Sequence, residues 1–328
     1  ALGRRLRGEI DYLLRAFQTR RGQEYNTDRT GLLLAFAFPD RLAQRRSDGR
    51  FLLRNGRGAV FLSQTEPLAS EDYIVAAELD DKGADSSIYL AAPVGVEELR
   101  NYFADQIIEE SVVAWDKAAQ AVRARSLERI GPLVLREAPL RDPVPDAIMS
   151  ALMEGVKVEG LSILNWNRSA TQLRERMMFL HKQSQAWPDV SDDELLGRIE
   201  DWLGPFLYGM KSRIDLERIN VTQALEALMT WEQRRELDED APTHVVVPSG
   251  QRIPIDYSDS DSPVLAVRLQ EVFGLAETPR IAGGRVPLTL HLVSPARRPV
   301  QVTKDLASFW RTAYFEVRKE LLGRYPKH

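Results

Sequence analysis

Residues 51–62 read Phe51-Leu52-Leu53-Arg54-Asn55-Gly56-Arg57-Gly58-Ala59-Val60-Phe61-Leu62. Two apolar runs flank Asn55-Gly56, the pair best suited to a tight hairpin turn because both turn positions need a positive φ. The same rhythm continues outward. Ile74-Val75-Ala76-Ala77 and Ile88-Tyr89-Leu90 flank a polar Asp80-Asp81-Lys82-Gly83 turn. A short helix fits residues 96–106. Val112-Val113-Ala114-Trp115, Ala121-Val122-Arg123-Ala124-Arg125 and Leu133-Val134-Leu135 then read as strands. Six or so short strands across residues 47–141 predict a small closed or nearly closed β-barrel. Arg50, Arg54 and Arg57 line one of its hairpins, and Arg123, Arg125 and Arg129 another. They are candidate nucleic-acid contacts, although a solvated strand face accounts for each of them as well.

On the N-terminal side, residues 1–46 read as helix, turn, helix. Leu6, Ile10, Leu13, Leu14 and Phe17 recur at helical spacing. A polar stretch over 22–30 follows, and apolar periodicity resumes from Leu32 to Arg46 with Pro39 inside it. On the other side, residues 142–241 are helical, with Pro143 and Pro145 at the boundary. Ile148, Leu152, Met153 and Val156 form one apolar stripe, and Leu173, Met177, Met178 and Leu180 a second. Leu195, Leu196, Ile199, Trp202 and Leu203 form a third, with Ser191 and Glu194 placed as a capping pair. Leu216, Ile219, Ala224, Leu225, Leu228 and Trp231 form the last. Met177, Met178, Trp202 and Trp231 are expected in the core. Asn165-Trp166-Asn167-Arg168 sits at a helix junction. Trp166 is a candidate for stacking on a base, while Asn167 or Ser169 as an N-cap is the simpler reading.

Residues 242–328 are mixed. His244-Val245-Val246-Val247 and Arg252-Ile253-Pro254-Ile255-Asp256-Tyr257 flank Pro248-Ser249-Gly250, a hairpin pattern. Residues 286–293 and 300–302 read as strands, and 266–273 as a short helix. Leu306, Phe309, Trp310, Ala313, Val317 and Leu321 make a core stripe on a terminal helix. From Arg285 to His328 there are nine Lys/Arg and three Asp/Glu, in a chain of net charge −4. Aromatics lie among those cations. Such a local basic, aromatic surface suits a polyanion, most simply nucleic acid. Its candidate contacts are Arg297, Arg298, Lys304, Arg311, Phe315, Arg318, Lys319, Arg324 and Lys327.

Composition bounds the rest. The 328 residues, 44% hydrophobic and 28% charged, are ordinary for a globular chain of two or three domains. No cysteine is present, which excludes disulfides and thiolate metal sites. No apolar run approaches the roughly 20 residues that span a bilayer, and residues 1–7 do not read as a signal peptide. The first residue is Ala1 and not Met, as in a fragment or a processed chain. A cytoplasmic setting is the default. The four histidines show no metal-ligand spacing. Asp256, Asp259 and Asp261 lack the Gly and distal Glu of an EF-hand loop. No Gly-Lys dipeptide occurs, so no P-loop is present. Asp238-Glu239-Asp240-Ala241 follows a polar segment, unlike the apolar strand that positions a Mg²⁺-holding acid. No catalytic residue, metal site or cofactor is assigned to this chain.

The run GRVPLTLHLVSPARRPVQVTKDLASFW at 284–310, with EVRKELLGRYPKH at 316–328, resembles the end of the bacterial HrpB-type DExH-box RNA helicases. LLLAFAFPDRLAQRR at 32–46, GRFLLRNGRGA at 49–59 and GLSILNW at 160–166 agree with it in order. The resemblance implies the region that follows the two motor domains. It implies an α+β multidomain chain: residues 1–46 the tail of a helical bundle, 47–141 an OB-like β domain, 142–241 a helical domain, and 242–328 a mixed α/β domain. ATP and Mg²⁺ would be handled by the RecA-like motor of the parent, and this chain alone is not expected to be an enzyme. Its expected partners are single-stranded RNA or DNA and the motor of the same polypeptide, with no membrane. The alternative is a protein-interaction scaffold whose basic face docks an acidic partner.

Overall fold

Gly56 adopts φ +88°, so the turn falls where the sequence puts it, but Asn55 keeps a negative φ and only one of the two turn positions is left-handed. In the computed structural model, which describes residues 2–18, 27–63, 65–80 and 83–324, the turn closes the hairpin of two short strands. The chain divides into two units, Ala1–Val112 with Ala124–Arg141, and Val113–Arg123 with Asp142–His328.

The first unit begins with helices α1 (Leu2–Ala16) and α2 (Thr30–Ala37). Part of the polar stretch over 22–30 lies outside the described residues. A closed barrel follows, built from β1 (Leu42–Arg45), β2 (Phe51–Leu53), β3 (Gly58–Phe61), β4 (Tyr73–Asp80) and β5 (Asp85–Pro93) in the order β1-β2-β3-β5-β4. All neighbours are antiparallel except β3 and β5. Helix α3 (Val96–Tyr102) succeeds the last barrel strand. Phe51, Leu53, Ala43, Ile74 and Ile88 fill the barrel. The alternate residues Leu42 and Val75 pack outward under α2 and α3, against Leu32, Leu99 and Phe103.

Two expectations are corrected here. The segment 32–46 is α-helical only to Ala37; Pro39–Arg41 makes one 3₁₀ turn and Leu42–Arg45 is a barrel strand. Pro39 ends the helix, and Leu42 and Ala43 are buried on opposite faces, so adjacent apolar residues imitate helical periodicity. The strands read near residues 112–115, 121–125 and 133–135 are not barrel strands. They belong to a separate sheet of β6 (Ile108–Asp116), β7 (Ala121–Ile130) and β8 (Leu133–Pro139). The side-chain amide of Gln44 ties β8 to the barrel wall. It donates to Val134 O at 2.7 Å and accepts from Val134 N at 2.9 Å, while the Tyr73 hydroxyl donates to the same carbonyl. Burial, followed by the nearby Asp72 charge, pushes the Tyr73 phenol pKa up.

The second unit carries α4 (Pro145–Glu159), α5 (Arg168–Gln183), α6 (Asp192–Gly197), α7 (Ile199–Trp202), α8 (Arg213–Leu216), α9 (Val221–Glu226) and α10 (Trp231–Asp240). Their starts follow local chemistry. Asn167, Ser191, Ser212, Asn220 and Thr230 each accept a backbone N–H of the first turn. Then come β9 (His244–Val246), β10 (Arg252–Asp256), β11 (Val264–Arg268), β12 (Arg280–Ile281), β13 (Val286–Pro287), β14 (Thr289–Val293) and β15 (Pro299–Thr303). A five-stranded sheet has the order β15-β14-β11-β10-β9, and only β11 and β14 are parallel. The helix read over 266–273 is instead the end of β11 followed by one 3₁₀ turn, since Leu265, Val267 and Leu269 alternate into the core and Val272 follows three residues on. The terminal helix is two, α11 (Leu306–Arg311) and α12 (Tyr314–Arg324), and the apolar stripe survives the break at Thr312.

A single core runs through these elements. Met177, Phe179, Leu180, Trp202 and Leu225 pack with Tyr257, Leu265, Leu290 and Phe309. Met178 is partly buried against that core. Trp231 corrects the sequence reading: it is 67% exposed, with the Arg235 guanidinium 4.7 Å above its ring. It occupies the first turn of α10, where the helix turns only Leu237 inward. Among the described residues no helix is long and apolar enough to cross a membrane.

Candidate nucleic-acid interface

The basic C-terminal segment is built on a hairpin and two helices. β14 and β15 are joined by residues 294–298, where Arg297 adopts φ +58°. Ser294 fixes this turn: its N–H donates to Arg298 O at 2.8 Å, its carbonyl accepts from Arg297 N at 2.8 Å, and its Oγ accepts from Arg298 N. The turn leaves Arg297 and Arg298 exposed. Lys304 is exposed just after β15. Asp305 then caps α11, accepting from Ser308 N at 2.9 Å. Arg311, Arg318 and Lys319 are exposed along the two helices. None of these six cations has a carboxylate within ion-pair distance among the described residues.

Aromatics underpin the same helices. Trp310 donates Nε1 to Leu275 O at 2.8 Å and packs beside Phe309 and Tyr314. Phe315 lies against Tyr314 at 5.9 Å but is itself 64% exposed, with Arg318 and Lys319 one turn on. An exposed ring among unpaired cations can take a base on its face and a phosphate on its flanks. Arg324 closes α12 with its side chain outside the described atoms, and Lys327 lies outside the described residues.

The arginines around the barrel differ in kind. Arg50 is held by Asp48 at 3.1 Å and Asp85 at 2.6 Å. Hydrogen bonds from the Arg50 backbone and side chain keep the Asp48 carboxyl below its ordinary range. Arg54 donates to Gln106 Oε1. Arg57 sits beside the hairpin turn, where its backbone N–H donates to Asn55 Oδ1 at 3.0 Å, and its interactions do not end there. Arg125 pairs with Glu137 and Arg129 with Glu110. Arg123, in the second unit, has Asp116 at 4.0 Å. A phosphate would have to compete with a carboxylate for most of these side chains.

Trp166 occupies a third place. Its Nε1 donates to Leu161 O at 2.8 Å, and the Arg174 guanidinium stands 5.0 Å from its ring. Arg174 is itself held by Val190 O and Asp192. Two clefts of about 510 and 550 Å³ share Trp166, Thr171 and Glu175 in their walls. Sequence reading singled out Trp166 but missed Glu175, Gln172 and His291. The only signal for the first two was a polar face on α5 at i, i+1, i+4, Thr171–Gln172–Glu175. Burial, and secondarily the charge of Asp256, raises the Glu175 pKa above the usual carboxylate range. Among the described residues no cluster of His, Cys, Asp or Glu could hold a metal.

Residues 202–328 match the family described as ATP-dependent helicase C-terminal, and residues 106–140 the connector region of ATP-dependent RNA helicase HrpB. The ATP-dependent RNA helicase HrpB of Escherichia coli strain K12 is 42% identical over 313 residues, 94% of this chain and 39% of that protein. Two solved structures are also similar over 97% of this chain and 40% of theirs. They are described as E. coli DExH-box NTPase HrpB (TM-score 0.58, 41% identity) and Escherichia coli DEAH/RHA helicase HrpB (0.53, 38%). The chain belongs to the HrpB family and corresponds to its C-terminal region. It spans about two fifths of the length of the relatives it matches.

Proposed function

We propose that this chain is the accessory region of an ATP-dependent RNA helicase: it grips single-stranded nucleic acid and braces the RecA-like motor of the same polypeptide. The observation that carries this reading is the set of six exposed cations on the C-terminal hairpin and helices, unpaired with carboxylates among the described residues and interleaved with an exposed Phe315. Electrostatic attraction to phosphates is worth most where no internal carboxylate competes. In this reading the helices before Leu42 continue a helical bundle, the closed barrel of β1 to β5 is an OB-like module, 142–241 form a helical domain and 242–328 the basic α/β domain. The barrel adds Arg50, Arg54 and Arg57, and strand β7 adds Arg123 and Arg125, as secondary contacts. ATP and Mg²⁺ belong to the motor, whose hydrolysis this chain transmits without performing, and the setting is cytoplasmic.

A second reading, a protein-docking scaffold, is favoured by α2. That helix is apolar on every side, and Leu33 and Phe36 are exposed on it. Competition separates the two. Labelled single-stranded RNA is expected to bind the purified chain and to be displaced by heparin at modest salt, through the same cations. RNA that neither binds nor competes with heparin contradicts the nucleic-acid reading and favours the scaffold.

A further inference from the structure

We infer that the cleft between the start of α5 and strands β10, β11 and β14 is a base-reading pocket for guanine in single-stranded RNA. The inference rests on the nucleic-acid reading above and adds a base preference to it. Its volume of about 550 Å³ lies within the range of small-ligand pockets, about 300–1,000 Å³. Trp166, Arg168, Gln172 and Glu175 contribute one wall, and Asp256 and His291 come from the strands. The sheet register sets the second wall: Asp256 pairs with Val264, and Ala266 with His291 across the parallel β11–β14 ladder.

The Trp166 ring is a fixed platform. Its indole N–H is spent on Leu161 O, and Arg174, anchored to Val190 O and Asp192, covers one face of the ring and leaves the other for a base. A ring that does not have to be ordered on binding stacks a base at low entropic cost. Glu175 is half-buried, yet its carboxylate accepts no hydrogen bond from any described residue. Asp256, close enough to oppose its charge, is already satisfied by Ser258 N at 2.9 Å. Burial without a donor is costly for a carboxylate, so Glu175 is an acceptor waiting for N–H groups.

The chemistry selects the base. Guanine presents two adjacent donors, N1–H and the N2 amine, which match both oxygens of one carboxylate. Cytosine and adenine present one amine beside a ring acceptor. Uracil flanks its single N–H with two carbonyls, which two neighbouring carboxylates repel. Gln172 can donate to guanine O6. Arg168 is exposed at the rim and has no carboxylate partner among the described residues, so it can meet the flanking phosphate. RNA-binding proteins read unstacked bases by this combination of aromatic stacking and Watson–Crick-edge hydrogen bonds.

The test compares two short oligonucleotides by fluorescence anisotropy on the purified chain: all uridine, and the same strand with one central guanosine. The guanosine is expected to raise affinity about tenfold, the discrimination of one good bidentate contact. Glu175→Gln keeps the shape, and is expected to remove most of that preference, both by losing the acceptor for guanine and by relieving the repulsion of uracil, so that affinity for the uridine strand does not fall. Equal affinity of the unmodified chain for the two strands overturns the guanine pocket but leaves RNA binding standing, and needs no variant to be folded. A preference that survives Glu175→Gln, with unaltered circular dichroism, also overturns it. Failure of both strands to bind overturns the pocket and the nucleic-acid reading together.

Discussion

Single residues carry testable parts of this fold. Gly56 sits at φ +88°, and a Cβ placed there would meet nothing within 4 Å. The cost of Gly56→Val is therefore backbone strain alone, about 1–3 kcal/mol. A denaturant midpoint that does not move would show that the hairpin turns elsewhere. Asp215 works differently. Backbone N–H groups of Lys211 and Ser212 and the Ser212 hydroxyl all donate to its Oδ2, closing a capping box on α8. The Lys211 N–H first, then the Ser212 hydroxyl, depress its pKa. A depressed carboxylate stabilises the fold above its unfolded pKa, about 3.9, and loses that contribution as pH falls through the folded value. Asp215→Asn is expected to cost about 0.5–2 kcal/mol at pH 7 and progressively less as the pH drops below about 4. A stability difference that stays constant from neutral pH into that acid range would contradict the assigned role.

Elements show where residue patterns sufficed and where they did not. Helix α2 crosses β5 so closely that a Cβ on Gly31 would overlap the carbonyl oxygen of Pro93, which is backbone and cannot turn aside. Alanine is the better helix former by about 1 kcal/mol, yet Gly31→Ala is expected to destabilise by about 1–3 kcal/mol through overpacking. Thermal unfolding decides the sign, and a stabilised variant would mean α2 is not packed there. The turn at Asn55-Gly56, the capping residues Ser191 and Asn167 and the stripe through Phe309 and Val317 were legible because each is a local signal. β1 was not, because a strand buried on both faces has no alternation to read. Nor could the sequence assign strands near residues 112–135 to a sheet of their own, since strand pairing is a long-range fact. Trp231 was misread because its apolar neighbours in sequence share no face with it in the fold.

At the scale of the whole molecule, the net charge of −4 hides a basic C-terminal surface. The cations of that surface were legible from composition. That six of them have no carboxylate partner among the described residues, while Arg50, Arg125 and Arg129 have one, was not, because pairing depends on which strands become neighbours. The cleft at Trp166 was half legible: the aromatic stood out, but Glu175 and His291 come together only through tertiary packing. The most direct test of the nucleic-acid reading is the salt dependence of single-stranded RNA binding by the unmodified chain and by the double variant Arg297→Glu, Arg298→Glu. Arg297 already adopts φ +58°, so exchanging one long side chain for another adds no new backbone strain. Each cation that neutralises a phosphate on a single strand contributes about 0.7 to the log–log slope. The double reversal is expected to weaken binding across RNA sequences and to flatten that slope by about one unit or more. Unchanged affinity and slope, with the fold intact, would contradict the reading and leave the basic face as a protein-docking surface.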